Sequence, residues 1–251
     1  METGENVGIG GFIITGSAPK HVLLRAIGPS LTGFGVPNVL ADPMMELHGP
    51  SGFITMTNDN WRQTQEAEIV ATGIPPAHDF ESAIMVTLVP GAYTAILKGN
   101  GNTLGAALVE VYDLSQGLSS KLANLSTRAL VATGDDIVIA GFMLGSQNGP
   151  GRMVIRGIGP SLASVGLANT LANRKLELRD GNGALLKANN DWQDDPAQAA
   201  EITASGLAPG NNLESAMAVT LPAGSYTALL SGVNNGTGIG LVEVYDRGAT
   251  P

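Results

Sequence analysis

The chain carries its motifs twice. Leu24-Arg25-Ala26-Ile27-Gly28-Pro29-Ser30-Leu31 returns 131 positions later as Ile155-Arg156-Gly157-Ile158-Gly159-Pro160-Ser161-Leu162. The echo continues through Asn58-Asp59-Asn60-Trp61 and Asn189-Asn190-Asp191-Trp192, then Glu81-Ser82-Ala83 and Glu214-Ser215-Ala216. Gly91-Ala92-Tyr93-Thr94-Ala95 matches Gly224-Ser225-Tyr226-Thr227-Ala228, and Leu108-Val109-Glu110-Val111-Tyr112-Asp113 matches Leu241-Val242-Glu243-Val244-Tyr245-Asp246. A period this long, with apolar strands in each copy, implies two tandem domains rather than a solenoid of small units. A residue that matters to both copies must then recur.

The 251 residues, 43% of them hydrophobic, suffice for two independent cores. Without cysteine no disulfide is available, which by itself assigns no compartment. A net charge of −9 leaves no basic patch for a phosphate backbone, so nucleic acid is not an expected partner. No apolar run approaches the roughly 18–20 residues that span a bilayer, so membrane insertion is not expected either. Met1-Glu2-Thr3-Gly4 is unlike the start of a secretory signal, so export would use a signal outside this sequence.

Short runs of Val, Ile, Leu, Tyr and Thr, punctuated by Gly, Pro, Asn and Asp, predict β structure throughout. Copy one should hold strands at 7–15, 21–27, 44–48, 53–57, 82–88, 92–98 and 106–112, which copy two repeats. Short helices are expected at 65–71 and 197–204. The fold class is all-β: two tandem antiparallel jelly-roll-like β-sandwich domains, residues 1–113 and 125–251, joined by a short linker at 114–124. Gly-Pro-Ser-Leu reads as a fixed turn at a strand end.

The segment Leu125 to Gly134 reads as a strand that introduces copy two, and copy one starts just after the equivalent place. Two readings stay open. The segment lies upstream or is a dispensable linker, or the first sandwich keeps an unpaired edge that a neighbouring subunit or an upstream segment fills. On the second reading the assembly candidates are Val7, Ile9 and Phe12, flanking the groove, with Leu125, Thr127, Ala129 and Val131 on the introducing strand. A head-to-tail contact of that kind need not close, and it builds filaments.

Catalytic chemistry finds little support in the repeat. His21, His48 and His78 all fall in copy one, opposite Arg152, Arg179 and Asn211. Paired recurrent carboxylates could act as acid and base if two met in one cleft. Glu81 with Arg25, and Glu214 with Arg156, read instead as a recurring structural ion pair. No catalytic or cofactor-binding residue is assigned. Asn58, Asp59 and Asn60, with Asn189, Asn190 and Asp191, supply hard oxygens that suit calcium, although the same residues are ordinary turn formers. Trp61 and Trp192 could stack on a sugar or anchor the small cores.

Taken together, the Arg-x-Ile-Gly-Pro-Ser-Leu, Asn-Asp-Asn-Trp, Glu-Ser-Ala, Pro-Gly-Ala-Tyr-Thr-Ala and Leu-Val-Glu-Val-Tyr-Asp runs resemble a family of uncharacterised tandem β-sandwich repeat modules in large secreted bacterial proteins. The match covers essentially the whole chain. Residues 47–60 and 90–112 are more weakly similar to β-sandwich domains appended to secreted peptidases. The resemblance implies an extracellular or cell-surface setting and transfers no catalytic residues. The expected function is therefore a noncatalytic structural protein that polymerises with copies of itself. The alternative is an accessory module that binds glycans or a cell surface.

Overall fold

A computed structural model describes residues 7–115, 117–134, 136–145 and 149–249. The chain divides into two compact units, Met1–Leu122 and Ala123–Pro251. Unit 1 contains β1 (Gly8–Gly16), β2 (Lys20–Ile27), β3 (Pro43–His48), β4 (Met56–Asn58), helix α1 (Glu66–Ala71), β5 (Ser82–Leu88), β6 (Gly91–Gly99) and β7 (Leu108–Asp113). Then come β8 (Ser120–Val131), β9 (Val138–Leu144), β10 (Gly151–Ile158), β11 (Arg174–Asp180), β12 (Leu185–Asn189), helix α2 (Pro196–Ala204), β13 (Ser215–Leu221), β14 (Gly224–Gly232) and β15 (Gly238–Ala249). The unit boundary falls inside β8, which begins at Ser120, within the segment read from sequence as the linker.

In unit 2, one sheet has the order β13-β10-β15-β8 and the other β12-β11-β14-β9. Numbered along this unit, the sheets hold strands 6-3-8-1 and 5-4-7-2, with antiparallel pairing. This is the jelly-roll order, eight strands in two Greek keys. Unit 1 repeats it as β5-β2-β7 and β1-β6-β3-β4. The place that β8 takes beside β15 has no counterpart among the described residues of unit 1, where β7 pairs with β2 alone.

Alternation produces each core. In unit 1, Phe12, Ile14, Val22, Leu24, Ile84, Leu88, Tyr93 and Leu97 face inward between the sheets. Phe12 stacks on Tyr93 at 5.4 Å between ring centroids. The β2–β5 sheet is also covered on its outer face, where Leu23, Ala83 and Met85 meet Trp61 and Ile69 of α1. Burial on both faces explains why β2 reads Val-Leu-Leu rather than as strict alternation. Unit 2 repeats this outer cluster with Val154, Trp192, Ile202, Ala216 and Ala218. The strand expected at 53–57 shortens to β4. The Phe53 N–H instead closes a turn on the Pro50 carbonyl, at 2.9 Å, and its ring packs edge-on against Tyr93.

The Gly-Pro-Ser-Leu turn is a short 3-10 helix, Pro29–Phe34, repeated as Pro160–Val165. Gly28 is required by proximity, because a Cβ there would sit 2.1 Å from the Leu40 carbonyl oxygen; at Gly159 the same distance applies to Leu171. The turn is fixed by Glu81, which is fully buried. Its carboxylate accepts from the Gly28 N–H (3.2 Å), the Ser30 N–H (2.9 Å), the Ser30 hydroxyl (2.9 Å) and the His78 N–H (3.2 Å). Glu214 does the same with Gly159, Ser161 and Asn211.

The expected pairing of Glu81 with Arg25 is therefore corrected. Arg25 lies opposite Glu110 in the β2–β7 ladder and bonds that carboxylate through Nε (2.8 Å) and Nη2 (2.5 Å). Arg156 and Glu243 repeat the geometry. Cross-strand register, invisible to motif spacing, selected the partner.

Glu81→Gln puts an amide NH2 among four donors and should destabilise unit 1 by roughly 3 kcal/mol, the scale of a lost buried charge-assisted network. Denaturant unfolding followed by Trp61 emission in a Trp192→Phe background would measure it. The exposed control Glu68→Gln should change stability by under about 0.5 kcal/mol.

Candidate functional site

The recurrent polar groups are already committed. Arg25 also donates to the Ile74 carbonyl (2.7 Å) and the Tyr112 hydroxyl (2.9 Å), and that hydroxyl donates to Glu110 (2.9 Å). The Arg25 guanidinium lies 4.9 Å from the Tyr112 ring centroid. Arg156, Glu243 and Tyr245 repeat the cluster, with the Leu207 carbonyl in place of Ile74. Burial, reinforced by the neighbouring Glu243 charge, pushes the Tyr245 phenol up to about 12, and the Tyr112 phenol is raised for the same reasons.

An open cleft of about 520 Å³ in unit 2 is lined by both Glu214 and Glu243, with Arg156, Ser161 and Asn211. Two recurrent carboxylates thus share a cleft, the arrangement that acid–base catalysis would need. Their oxygens, however, are engaged by backbone N–H groups, hydroxyls and a guanidinium.

The Asn-Asp loops hold the outer cluster to the sheet. Asn58 is buried, accepts from the Ala83 N–H (2.9 Å) and donates to the Asn60 carbonyl (3.3 Å). Asn189 makes the same bonds to Ala216 and Asp191. These are turn-forming and stapling roles. Asp59 points elsewhere, toward Asp42: the Asn100 amide donates to Asp42 (3.1 Å) and to Asp59 (3.3 Å), and Asn60 also donates to Asp59 (3.2 Å). Burial, then the Asp42 charge, raises the Asp59 carboxyl above its ordinary value.

Unit 2 places Asn173 and Asn190 at the equivalent positions, with Asp191 in place of Asn60. It also carries a fully buried Arg174 where unit 1 has Pro43. Burial lowers the Arg174 pKa, while Glu214 and Asp191 oppose that shift. Of the Asn and Asp residues considered for calcium, Asn58 and Asn189 turn inward to the strands. Among the described residues, no three His, Asp or Glu side chains gather as a metal set.

Trp61 and Trp192 are 2% and 6% exposed, inside the outer clusters. Tyr93 and Tyr226 are buried, and Tyr112 and Tyr245 are half-buried in the arginine networks. None of the tryptophans or tyrosines is exposed to stack on a sugar.

The assembly candidates occupy different environments from those expected. Val7 precedes β1 and is half-buried, as is Ile9, whereas Phe12 is 2% exposed within the core. The β1 backbone from Gly8 to Ile14 is paired with β6. Over that stretch one side of the β1 backbone is occupied by β6, distant in sequence. On β8, Leu125, Thr127, Ala129 and Val131 pair with Val244, Val242, Gly240 and Gly238. Val131 and Ala129 belong to the unit 2 core. The backbone edge lacking a partner strand among the described residues of unit 1 includes that of β7, and Leu108 on it is 42% exposed. Motif matching aligned β7 with β15 and left copy one a strand short, but it did not say which strand the missing one would flank.

No protein-family model matches the sequence, and no curated protein matches it. Among solved structures, the chain is similar to one titled "Crystal Structure of the STIV MCP", at 12% identity over 98% of this chain and 90% of that chain, with a TM-score of 0.26. It is also similar to "Crystal structure of infectious bursal disease virus VP2 subviral particle", at 9% identity over 98% and 70%, with a TM-score of 0.19. Likenesses this slight carry no argument about function; the jelly-roll assignment rests on the strand order itself.

Asp59→Asn, which installs the unit 2 residue, should stabilise unit 1 at pH 7 by under about 1 kcal/mol. A raised folded-state pKa means that ionised Asp59 disfavours the fold above that pKa and not below the ordinary carboxyl pKa. The gain should therefore shrink as pH falls toward 3, which thermal melts across pH would reveal.

Proposed function

We propose that this chain is a noncatalytic structural protein whose two jelly-roll units form a subunit of a self-assembling filament or fibre, at the cell surface or outside the cell. The observation that carries the reading is the β7 edge, a row of backbone groups and apolar side chains without a strand partner among the described residues. Such an edge is a template for another chain's strand. The engagement of the recurrent carboxylates supports the noncatalytic half of the reading. A head-to-tail contact between non-identical patches need not close and therefore propagates. Among the described residues no helix is long and apolar enough to cross a membrane. The setting outside the cell rests on the resemblance to secreted repeat modules.

The alternative, a glycan-binding accessory module, finds no exposed tryptophan or tyrosine to bind with; the exposed rings are those of Phe34 and Phe80.

Sedimentation velocity over a hundredfold concentration range, with negative-stain imaging, should reveal concentration-dependent growth into regular fibres. A single monomeric species throughout would overturn self-assembly. Oligosaccharide titration should leave the emission of both buried tryptophans unchanged; a saturable shift would revive the glycan reading.

A further inference from the structure

We infer that the outer edge of β7 is the acceptor for one donated strand of the β8 sequence type, running antiparallel to β7 and supplied by another module of this repeat. The inference deepens the assembly reading and rests on it for the identity of the donor. It begins from a comparison inside the molecule. Residues 108–113 and 241–246 have the same sequence, and each strand pairs on one side with the equivalent neighbour, β2 or β10. Only the other side differs. In unit 2, β8 lies there, and Val242 and Val244 are 0% and 3% exposed. In unit 1 the matching Val109 and Val111 are only partly buried against the core. Identical side chains at identical sheet positions differ in burial because one pair lies under a flanking strand.

The register is transferable. The pairs Leu241–Arg128, Val242–Thr127, Glu243–Ser126, Val244–Leu125 and Tyr245–Asn124 define the ladder in unit 2. A donor of the same type would set its Arg128 equivalent opposite Leu108, and its Thr127 and Leu125 equivalents opposite Val109 and Val111. Asn124 adds a side-chain anchor, its Nδ2 donating to the Val244 carbonyl at 3.2 Å; the equivalent acceptor is the Val111 carbonyl. The donated strand would pair the β7 edge and bring apolar side chains over the half-covered valines.

Chain connectivity identifies the donor class. The next strand after β7 is β8, whose residues 124–131 pair with β15 as the first strand of unit 2. The first strand of a module is thus the departing strand of the module before it. β8 itself is committed to β15, so the strand for β7 comes from another module with the same departing sequence.

The test uses the full chain and a labelled peptide, Asn-Leu-Ser-Thr-Arg-Ala-Leu-Val, which reproduces residues 124–131. Saturable binding at one site per chain is expected, with a rise in the unfolding temperature reported by Trp61. Aspartate at the two inward positions equivalent to Ala129 and Val131 should abolish binding. Leu108→Lys, at an exposed position, should weaken binding about fivefold by placing like charges opposite the peptide arginine. A peptide with glutamate in place of that arginine should restore it. Binding indifferent to both charge changes, or absent altogether, overturns the acceptor assignment, as does cross-linking that finds β7 paired with β7 of a second copy. Peptide binding in the expected register by a chain that never polymerises would keep the acceptor and refute self-assembly. Fibres whose growth the peptide does not block would refute the acceptor and keep self-assembly.

Discussion

A carboxylate buried at the start of a strand organises each unit. Glu81 lies where β5 begins and reaches the turn that ends β2, and Glu214 links β13 to the turn after β10. Removing a carboxylate from water is costly unless hydrogen bonds replace its hydration, and here four donors do so. The glycine and serine of Gly-Pro-Ser supply most of those donors, and close approach to Leu40 or Leu171 excludes a side chain at the glycine. Two motifs some fifty residues apart are therefore halves of one interaction, which explains why they recur together.

The rest of the sandwich builds outward from that tie. The turn follows the ends of β2 and β10, the strands on which Arg25 and Arg156 lie opposite Glu110 and Glu243. The arginines then join the central strands to the loops before β5 and β13 through carbonyl contacts. Trp61 and Trp192 lie beneath those loops and bury the outer face of the same sheet. Recurrence in this molecule marks architecture. Its most repeated polar residues hold the fold together, and its distinguishing features are the places where the copies differ.

Three such differences stand out. Unit 1 sets Asp42 and Asp59 around one amide, whereas unit 2 has asparagines there and the Arg174 cation nearby. All three histidines belong to unit 1 and occupy surface or turn positions; His21 meets Thr87, and His48 is half-exposed beside Glu46. The third difference is the strand beside β7. It carries the proposed function, because backbone unpaired among the described residues and half-covered valines are complementary to a strand that the molecule already displays once.

The repeat, the strand-rich composition and the punctuation by glycine and proline were legible in the sequence, and they sufficed for antiparallel sandwiches of the jelly-roll kind. Local signals also placed strands at 82–88 and 21–27 and both short helices within a residue or two, because each forms from contiguous residues of strong pattern. Ionic partners were not legible. Arg25 reaches Glu110 through a ladder set by strand order, and strand order is decided only when the sheets close on their cores. Nor was the unpaired edge of β7 among the described residues, because β7 is defined by pairing with β2, a strand far away in the chain. Sequence determined which strands exist and which way their side chains alternate, because those properties are local. Tertiary structure alone decided which edges are paired, because pairing depends on segments far apart in the chain meeting across a sheet.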